Sequence, residues 1–470
     1  MSMKRPFAVP AIKASPAIAV AEPRVTPWVI ALARLVSRFY MTGFIGNARI
    51  YLDESAADIF IPAMERALSR QSRSIVAFRH QNGWEPQALM WFTLYRLAGL
   101  ARKRGVRFSL PPRLRFVHGY ELFRTGGPLA RFMLPRFGAM PVHHAKLDSA
   151  GLNRIYRCLL EGPYPLAIAP EGQVSYTLAE EIRVEPGAVR IGLAVARQLF
   201  ARGGAAAGED CPPVEILPVS LYPEYRRKAL DSVARLLRRV ERICGIGDGL
   251  SAPGLPGISG LNARFLRCRE IILALNEKRY GLDPGSAGRD FGGRLDSVID
   301  AALRSAAAIL CVSDPPGDTM NRLYAIRQLC WDRIFPENTD LAALSALERA
   351  ALDLRAGEAW HASRHMELAD FSLYFHKPPS AVSGSGPSAE SIASTVEYVQ
   401  NLYDFANRTM GGIYDTRKRI APAAVRISAA QPINLAEMLL AAAGPGGTGK
   451  EHWKAVGAGA NELLRKRLSG

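Results

Sequence analysis

Between residues 72 and 225, short apolar runs alternate with stretches long enough to be helices, and this alternation limits the possible fold more than any other feature. SIVAF (74–78), LAIA (166–169) and EILPVSLY (215–222) read as buried strands, and VRFSL (106–110) and LRFVH (114–118) as two more. Between them the pattern predicts helices over Pro86–Leu100, over Ser149–Leu160 with Asp148 or Ser149 as cap, and over Gly187–Leu199. Strands and helices in alternation predict an α/β class, a mixed sheet flanked by helices.

The flanks differ. Residues 1–25 are rich in Ala and Pro and read as a flexible arm, and 26–71 as a helical lead-in. That lead-in opens with TPWVIALARLVSRFYM, where Thr26 suits an N-cap and Pro27 the first helical position. Its apolar residues run nearly all round, broken by Arg34 and Arg38. Either it is buried against the main domain, or it lies at a membrane surface with Trp28, Phe39 and Tyr40 in the interface. Residues 226–420 are predicted to be a helical insertion or domain, beginning with a basic amphipathic helix. That helix carries Leu230, Val233, Leu237, Val240 and Cys244 on one face and Arg226, Arg227, Lys228, Arg235, Arg238, Arg239 and Arg242 around the rest. It is either a solvated surface helix or a membrane contact. KPPSAVSGSGPSAES (377–391) reads as a linker, and 421–470 as a possible return strand and final helix.

Lysine and arginine exceed acidic residues by 17, which predicts attraction to anionic surfaces. No aromatic–basic interleaving or zinc-finger pattern points to nucleic acid, and the charge alone leaves acidic lipid headgroups and phosphorylated ligands both open. The six cysteines are scattered without a C-x-x-C, which reads as reduced thiols in a cytosolic setting. No apolar run is long enough to span a bilayer. The expected setting is cytoplasmic, peripheral on the inner face of a membrane, with its anionic lipids as partner.

Three histidines, His80, His143 and His365, are each followed five residues later by an acid, where about 0.7 such pairs are expected by chance. Spacing therefore decides nothing. His365 and Asp370 lie in a helical pattern, and Asp148 is explained as a helix cap. His80 is delivered by a buried strand, and Glu85 and Pro86 open the next helix. That puts the imidazole at a strand's carboxyl end, where α/β folds gather ligand and catalytic groups. Glu85 can then hold one ring nitrogen and leave the other to accept a proton.

HQNGWEP resembles the H-x4-D block of the glycerolipid acyltransferases, and further blocks follow in order. LPRFGAMPVHH (134–144) is similar to the second, IAPEGQVSY (168–176) to the Pro-Glu-Gly third and EPGAVRIGLAVA (185–196) to the Gly-Ala helix start. ILPVSLY (216–222) resembles the fourth, and AAVRISAAQPINLAE (423–437) the strand that closely follows it in the family. The resemblance implies direct transfer of an acyl group from acyl-CoA or acyl carrier protein to a hydroxyl of a lipid or lysolipid, with no metal or held cofactor. His80 would be the base, Glu85 would fix its tautomer, and Pro170, Glu171, Gly172, Gln173 and His144 would shape the acceptor site. Two other readings stay open: a non-catalytic lipid-binding scaffold on the same fold, or a thioesterase-like hydrolase.

The departures are informative. Glu85 stands for the usual Asp, and Gly119, His144, the Gln173–Val174 pair and Glu185 stand where the family tends to carry cations. A buried phosphate without cationic partners is unfavourable, so the expected acceptor lacks a phosphomonoester. His118, His143, His144, Lys146 and Arg183 are the residues that could compensate. GPGGTGKE (444–451) lacks the Ser or Thr and the preceding strand of a P-loop, and the His361–His365 pair lacks the glutamate of a zinc protease.

Overall fold

The computed structural model describes residues 12–19, 21–143, 146, 148–178, 182–203, 212–246, 258–283, 290–372, 375, 389–412, 418–442 and 450–469. The chain divides into two compact units. One comprises 20–143, 147–225 and 421–470, and the other 1–19, 144–146 and 226–420.

The first unit is a mixed α/β layer built on eight strands. They are β1 (Arg49–Leu52), β2 (Arg73–Phe78), β3 (Arg115–Gly119), β4 (Met140–Val142), β5 (Leu166–Ile168), β6 (Val214–Glu224), β7 (Ala424–Ala429) and β8 (Ile433–Asn434). Their order is β1-β7-β6-β2-β5-β3-β4, with β8 against β6. All neighbours are parallel except β6 with β7 and β6 with β8. The chain leaves after β6, runs through 226–420, and returns as β7 between β6 and β1.

Strand periodicity of two sorts the core. Val76 and Phe78 of β2 join Phe60, Leu89, Phe92 and Phe116 on one face, while Ile75 and Ala77 join Ile155, Val189, Leu193 and Leu464 on the other. Helices Pro27–Ile45, Glu54–Leu68 and Glu85–Phe92 supply the first layer, and Ser149–Glu161, Gly187–Gly203 and Lys450–Ser469 the second. Asp53 caps the helix at Glu54, and Asp148 accepts from the Gly151 N–H at 2.8 Å.

Two expectations are corrected here. VRFSL (106–110) is not a strand: Gly105 ends the preceding helix at φ +79°, Pro111 and Pro112 follow, and β3 already has β4 and β5 on its two sides. Val106, Phe108 and Leu110 pack on the core without a ladder, which accounts for the apolar pattern. Residues 26–71 are not wholly helical, because RIYL forms β1 beside β7. Four residues are too few to show a period against their flanks.

The second unit is helical, with Ala229–Ile243, Ile258–Arg279, Phe291–Ile309, Thr319–Ile334, Ala346–Ser372 and Ala389–Thr409. Val233, Leu237 and Val240 of the basic helix are buried against its neighbours, so its apolar face is covered and its arginines are on the surface. Ion pairs on buried carboxylates link these helices: Glu367 to Arg408 at 2.8 Å, Glu277 to Arg294 through two bonds of 2.8 Å, and Glu241 to Arg264 through two of 2.7 Å. The linker expected at 377–391 lies outside the described residues except for its last three, and the segment 444–451 except for its last two. Among the described residues no helix is long and apolar enough to cross a membrane.

Candidate active site

Four adjacent parallel strands, β2, β5, β3 and β4, end on the same edge of the sheet. That edge therefore collects the residues that follow each of them: Arg79 to Glu85 after β2, Ala169 to Ser175 after β5, Tyr120 after β3 and His143 after β4. This is the edge at which α/β sheets hold ligands.

His80 follows β2 by two residues, and its Nδ1 lies 3.0 Å from Glu85 Oε2. The contact exists because the chain turns sharply between them. Asn82 and Gly83 make the turn, with Gly83 at φ +82°, a conformation that suits glycine. Glu85 then starts the helix Glu85–Phe92 and points back over its own N-terminus. Its Oε1 accepts from the Asn82 N–H at 2.6 Å and the Asn82 side-chain amide at 3.1 Å. Its Oε2 also accepts from the Gly83 N–H at 2.9 Å. The side chain is wholly buried and, with four donors on two oxygens, cannot rotate without losing several bonds. With Nδ1–H donated to this carboxylate, the other ring nitrogen, Nε2, carries the lone pair. The His80 side chain keeps 17% of its surface exposed, and Phe78 packs edge-on against the ring at 5.9 Å. The extra methylene of Glu85 is thus accommodated by the turn.

Behind His80 lies a second layer of ionic contacts. β2 and β5 pair Ala77 with Ile168, and carrying that register three residues past the ladder brings His80 level with Glu171. The His80 N–H donates to Glu171 Oε1 at 2.8 Å, and the His80 carbonyl accepts from the Ser175 N–H at 2.8 Å. Arg79, only 1% exposed, places Nε 3.9 Å from the same Glu171 oxygen and donates to the Thr177 carbonyl at 3.3 Å. With its amide oxygen toward Arg79, Gln81 accepts from the guanidinium at 3.0 Å and donates to the Leu221 carbonyl at 3.2 Å. Burial pushes the Glu171 carboxyl above the usual carboxylate range, while Ser175, the Arg79 charge and the His80 N–H pull it down. Glu171 therefore faces inward and ties the loop after β5 to the loop after β2.

The remaining expected site residues are placed as follows. Pro170 is buried, and its carbonyl accepts from the Glu185 N–H at 2.6 Å. Gly172 sits at φ +76° with its N–H on the Ala169 carbonyl at 3.2 Å, so this N–H serves the turn and is not held out for a ligand. Gln173 is half-buried in the same turn. His144 lies outside the described residues. Of the residues considered as substitute cations, His118 Nδ1 lies 2.9 Å from the Gly119 carbonyl, and His143 stacks on Tyr120 with ring centres 4.0 Å apart. Lys146 bonds Glu337 at 2.7 Å and Arg183 bonds Glu185 at 2.8 Å.

Sequence reasoning missed Arg79, Gln81, Asn82 and Ser175. Arg79 was legible in principle: an arginine directly after a fully apolar strand is buried, and a buried charge needs partners. The Asn82–Gly83 dipeptide was a turn signal that explains how Glu85 reaches back. Ser175 gave no signal, because its partner is a backbone carbonyl 95 residues away. Comparison of the chain with known protein families, curated proteins and solved structures finds no match.

Proposed function

We propose that the α/β unit is an acyltransferase of the glycerolipid type. It moves a fatty acyl group from acyl-CoA or acyl carrier protein to a hydroxyl of a lipid or lysolipid. The observation that carries this reading is the 3.0 Å contact between His80 and a wholly buried, four-donor Glu85 at the carboxyl edge of the sheet. Nε2 of His80 takes the proton from the acceptor hydroxyl as its oxygen attacks the thioester carbonyl. The C–S bond breaks as the tetrahedral species collapses, and the proton passes from His80 to the departing thiolate. Glu85 holds the tautomer and stabilises the imidazolium between those two steps. Arg79, Glu171 and Ser175 position the loop and need not touch substrate.

The acceptor in this reading lacks a phosphomonoester. Gly119 and Glu185 stand where cations would serve a phosphate, and Arg79, Lys146 and Arg183 are already engaged by carboxylates. The test is release of free thiol from a long-chain acyl-CoA or acyl carrier protein over a panel of lysolipids. Transfer to neutral or zwitterionic acceptors is expected. A much faster reaction with lysophosphatidic acid would sink the acceptor assignment, and thiol release indifferent to any acceptor would turn the reading into hydrolysis.

A further inference from the structure

The helix Pro27–Ile45 is apolar on two opposite faces, and only one of them is covered. Val29, Ile30, Met41 and Ile45 are buried, and Met41 and Ile45 join the core beside Trp84, Leu89 and Leu97. The Tyr95 hydroxyl donates to the Ile30 carbonyl at 3.2 Å and fixes the helix on the layer that begins at Glu85. On the other side Trp28, Leu32, Leu35, Val36 and Phe39 repeat at i, i+4, i+7, i+8 and i+11, which is one stripe on a helix. These are among the most exposed apolar side chains described, with Phe39 at 86%, Leu35 at 81% and Trp28 at 60%.

The surroundings say what covers this stripe. The helix holds no acidic residue, and Arg38 is exposed beside the stripe, while Arg34 reaches over the Tyr95 ring on the packed side at 5.8 Å. Its entry is tied by backbone to the helix Gly127–Arg136: the Arg24 N–H donates to the Pro135 carbonyl at 2.9 Å and the Thr26 N–H to that of Arg136 at 2.8 Å. That second helix exposes Leu129 and Phe132, and the Arg136 guanidinium stacks 3.8 Å over the Phe132 ring. Exposed Trp, Leu and Phe rimmed by arginines and free of acids is the composition that partitions into the headgroup boundary of an anionic bilayer. The helix is not apolar enough over its length to cross a bilayer.

We infer that the α/β unit docks on an anionic lipid surface through the Trp28–Phe39 stripe. The helix lies in the plane of the interface, with its apolar side chains among the acyl chains and Arg38 and Arg136 at the headgroups. The inference does not use His80 and stands whether or not the unit transfers acyl groups.

The test is co-sedimentation of the full chain with phosphatidylcholine vesicles made with and without phosphatidylglycerol. The wild type is compared with a Leu35→Ser, Phe39→Ser double variant and with Phe39→Leu. Both positions are exposed, so folding is not at stake. The wild type and Phe39→Leu are expected to bind the phosphatidylglycerol vesicles. The double variant should lose at least ~10-fold in affinity, since each apolar side chain withdrawn from lipid is worth that much or more. Undiminished binding by the double variant would overturn the inference, as would wild-type binding that ignores phosphatidylglycerol. So would light scattering showing that the stripe instead pairs two copies of the chain in solution, with no vesicle binding.

Discussion

His80 lies in the loop after β2, His365 lies inside the helix Ala346–Ser372, and each is followed five residues later by an acid. In the loop the two side chains meet at 3.0 Å. In the helix they do not, because five residues turn the chain by about 140° and place them on different faces. His365 Nδ1 faces the Tyr280 hydroxyl at 2.9 Å, and Asp370 bonds Arg327 at 2.9 Å. His143 gives a third outcome: its backbone N–H reaches Asp148 at 3.3 Å, and that carboxylate is the helix cap. The same spacing therefore yields a hydrogen-bonded histidine–carboxylate pair, a half-buried polar link between helices and a cap. What brings His80 and Glu85 together is the Asn82–Gly83 turn, which the helical pair lacks. The two units divide in the same way. Ionic contacts in the helical unit are arginine–carboxylate bridges that hold helices together, while at the sheet edge they converge behind a titratable ring.

The sharpest way to break this comparison is to remove each histidine in turn. His80→Ala is expected to lower acceptor-dependent transfer by about 10²–10⁴-fold, the usual contribution of a general base, while His365→Ala changes it no more than a few-fold. Initial rates at saturating donor decide it, and equal losses would erase the distinction. Next in size is Glu85. Glu85→Ala leaves buried donors without an acceptor, so it should cost about 3 kcal/mol or more in chemical denaturation as well as activity. Glu85→Gln keeps the shape and loses less stability, yet can present an amide N–H to the imidazole and favour the wrong tautomer. A Glu85→Gln protein of wild-type rate would show that the carboxylate is only structural.

In the helical unit Arg408→Ala removes one of the two arginines on the buried Glu367, leaving Arg364 at 2.6 Å, and is expected to cost about 1.5–3 kcal/mol. Acyl transfer at permissive temperature should stay unchanged, so a specific loss of transfer by the folded variant would contradict the division of roles.

The smallest effects concern pH, and they have opposite signs. Burial, with the His361 and Arg279 charges, lowers the His365 pKa to about 4 from 6.5. The unfolded chain therefore binds the proton more readily, and this group's contribution is lost as pH falls from about 6.5 toward 4. Glu171 is raised above its ordinary 4.5, so its neutral form is favoured in the fold and its contribution improves as pH falls through its folded value. Denaturation midpoints of His365→Gln and Glu171→Gln, followed between neutral and acid pH and referred to the wild type, should diverge in opposite directions.

Much of the α/β unit was legible because its central strands are continuous apolar runs bounded by turns, and β2, β3, β5, β6 and β7 lie close to where the pattern put them. β1 was not, since RIYL is too short to carry a period, and VRFSL was misread because packing without a ladder leaves the same apolar signature. At the site, His80 and Glu85 could be found from a strand end followed by a helix start. The inward role of Glu171 could not, because it depends on the register between β2 and β5. The helix Pro27–Ile45 showed its apolar circumference in sequence, but only the fold decides which face stays bare.

The measurement that bears most directly on the central proposal is mass-spectrometric detection of acylated lysolipid, with acyl-CoA and then acyl carrier protein as donor. Wild type and His80→Ala would be run side by side after their thermal stabilities are matched. The account predicts a new ester in the wild type and its disappearance in the variant. Undiminished ester formation by His80→Ala, or no ester from the wild type with either donor, would contradict it.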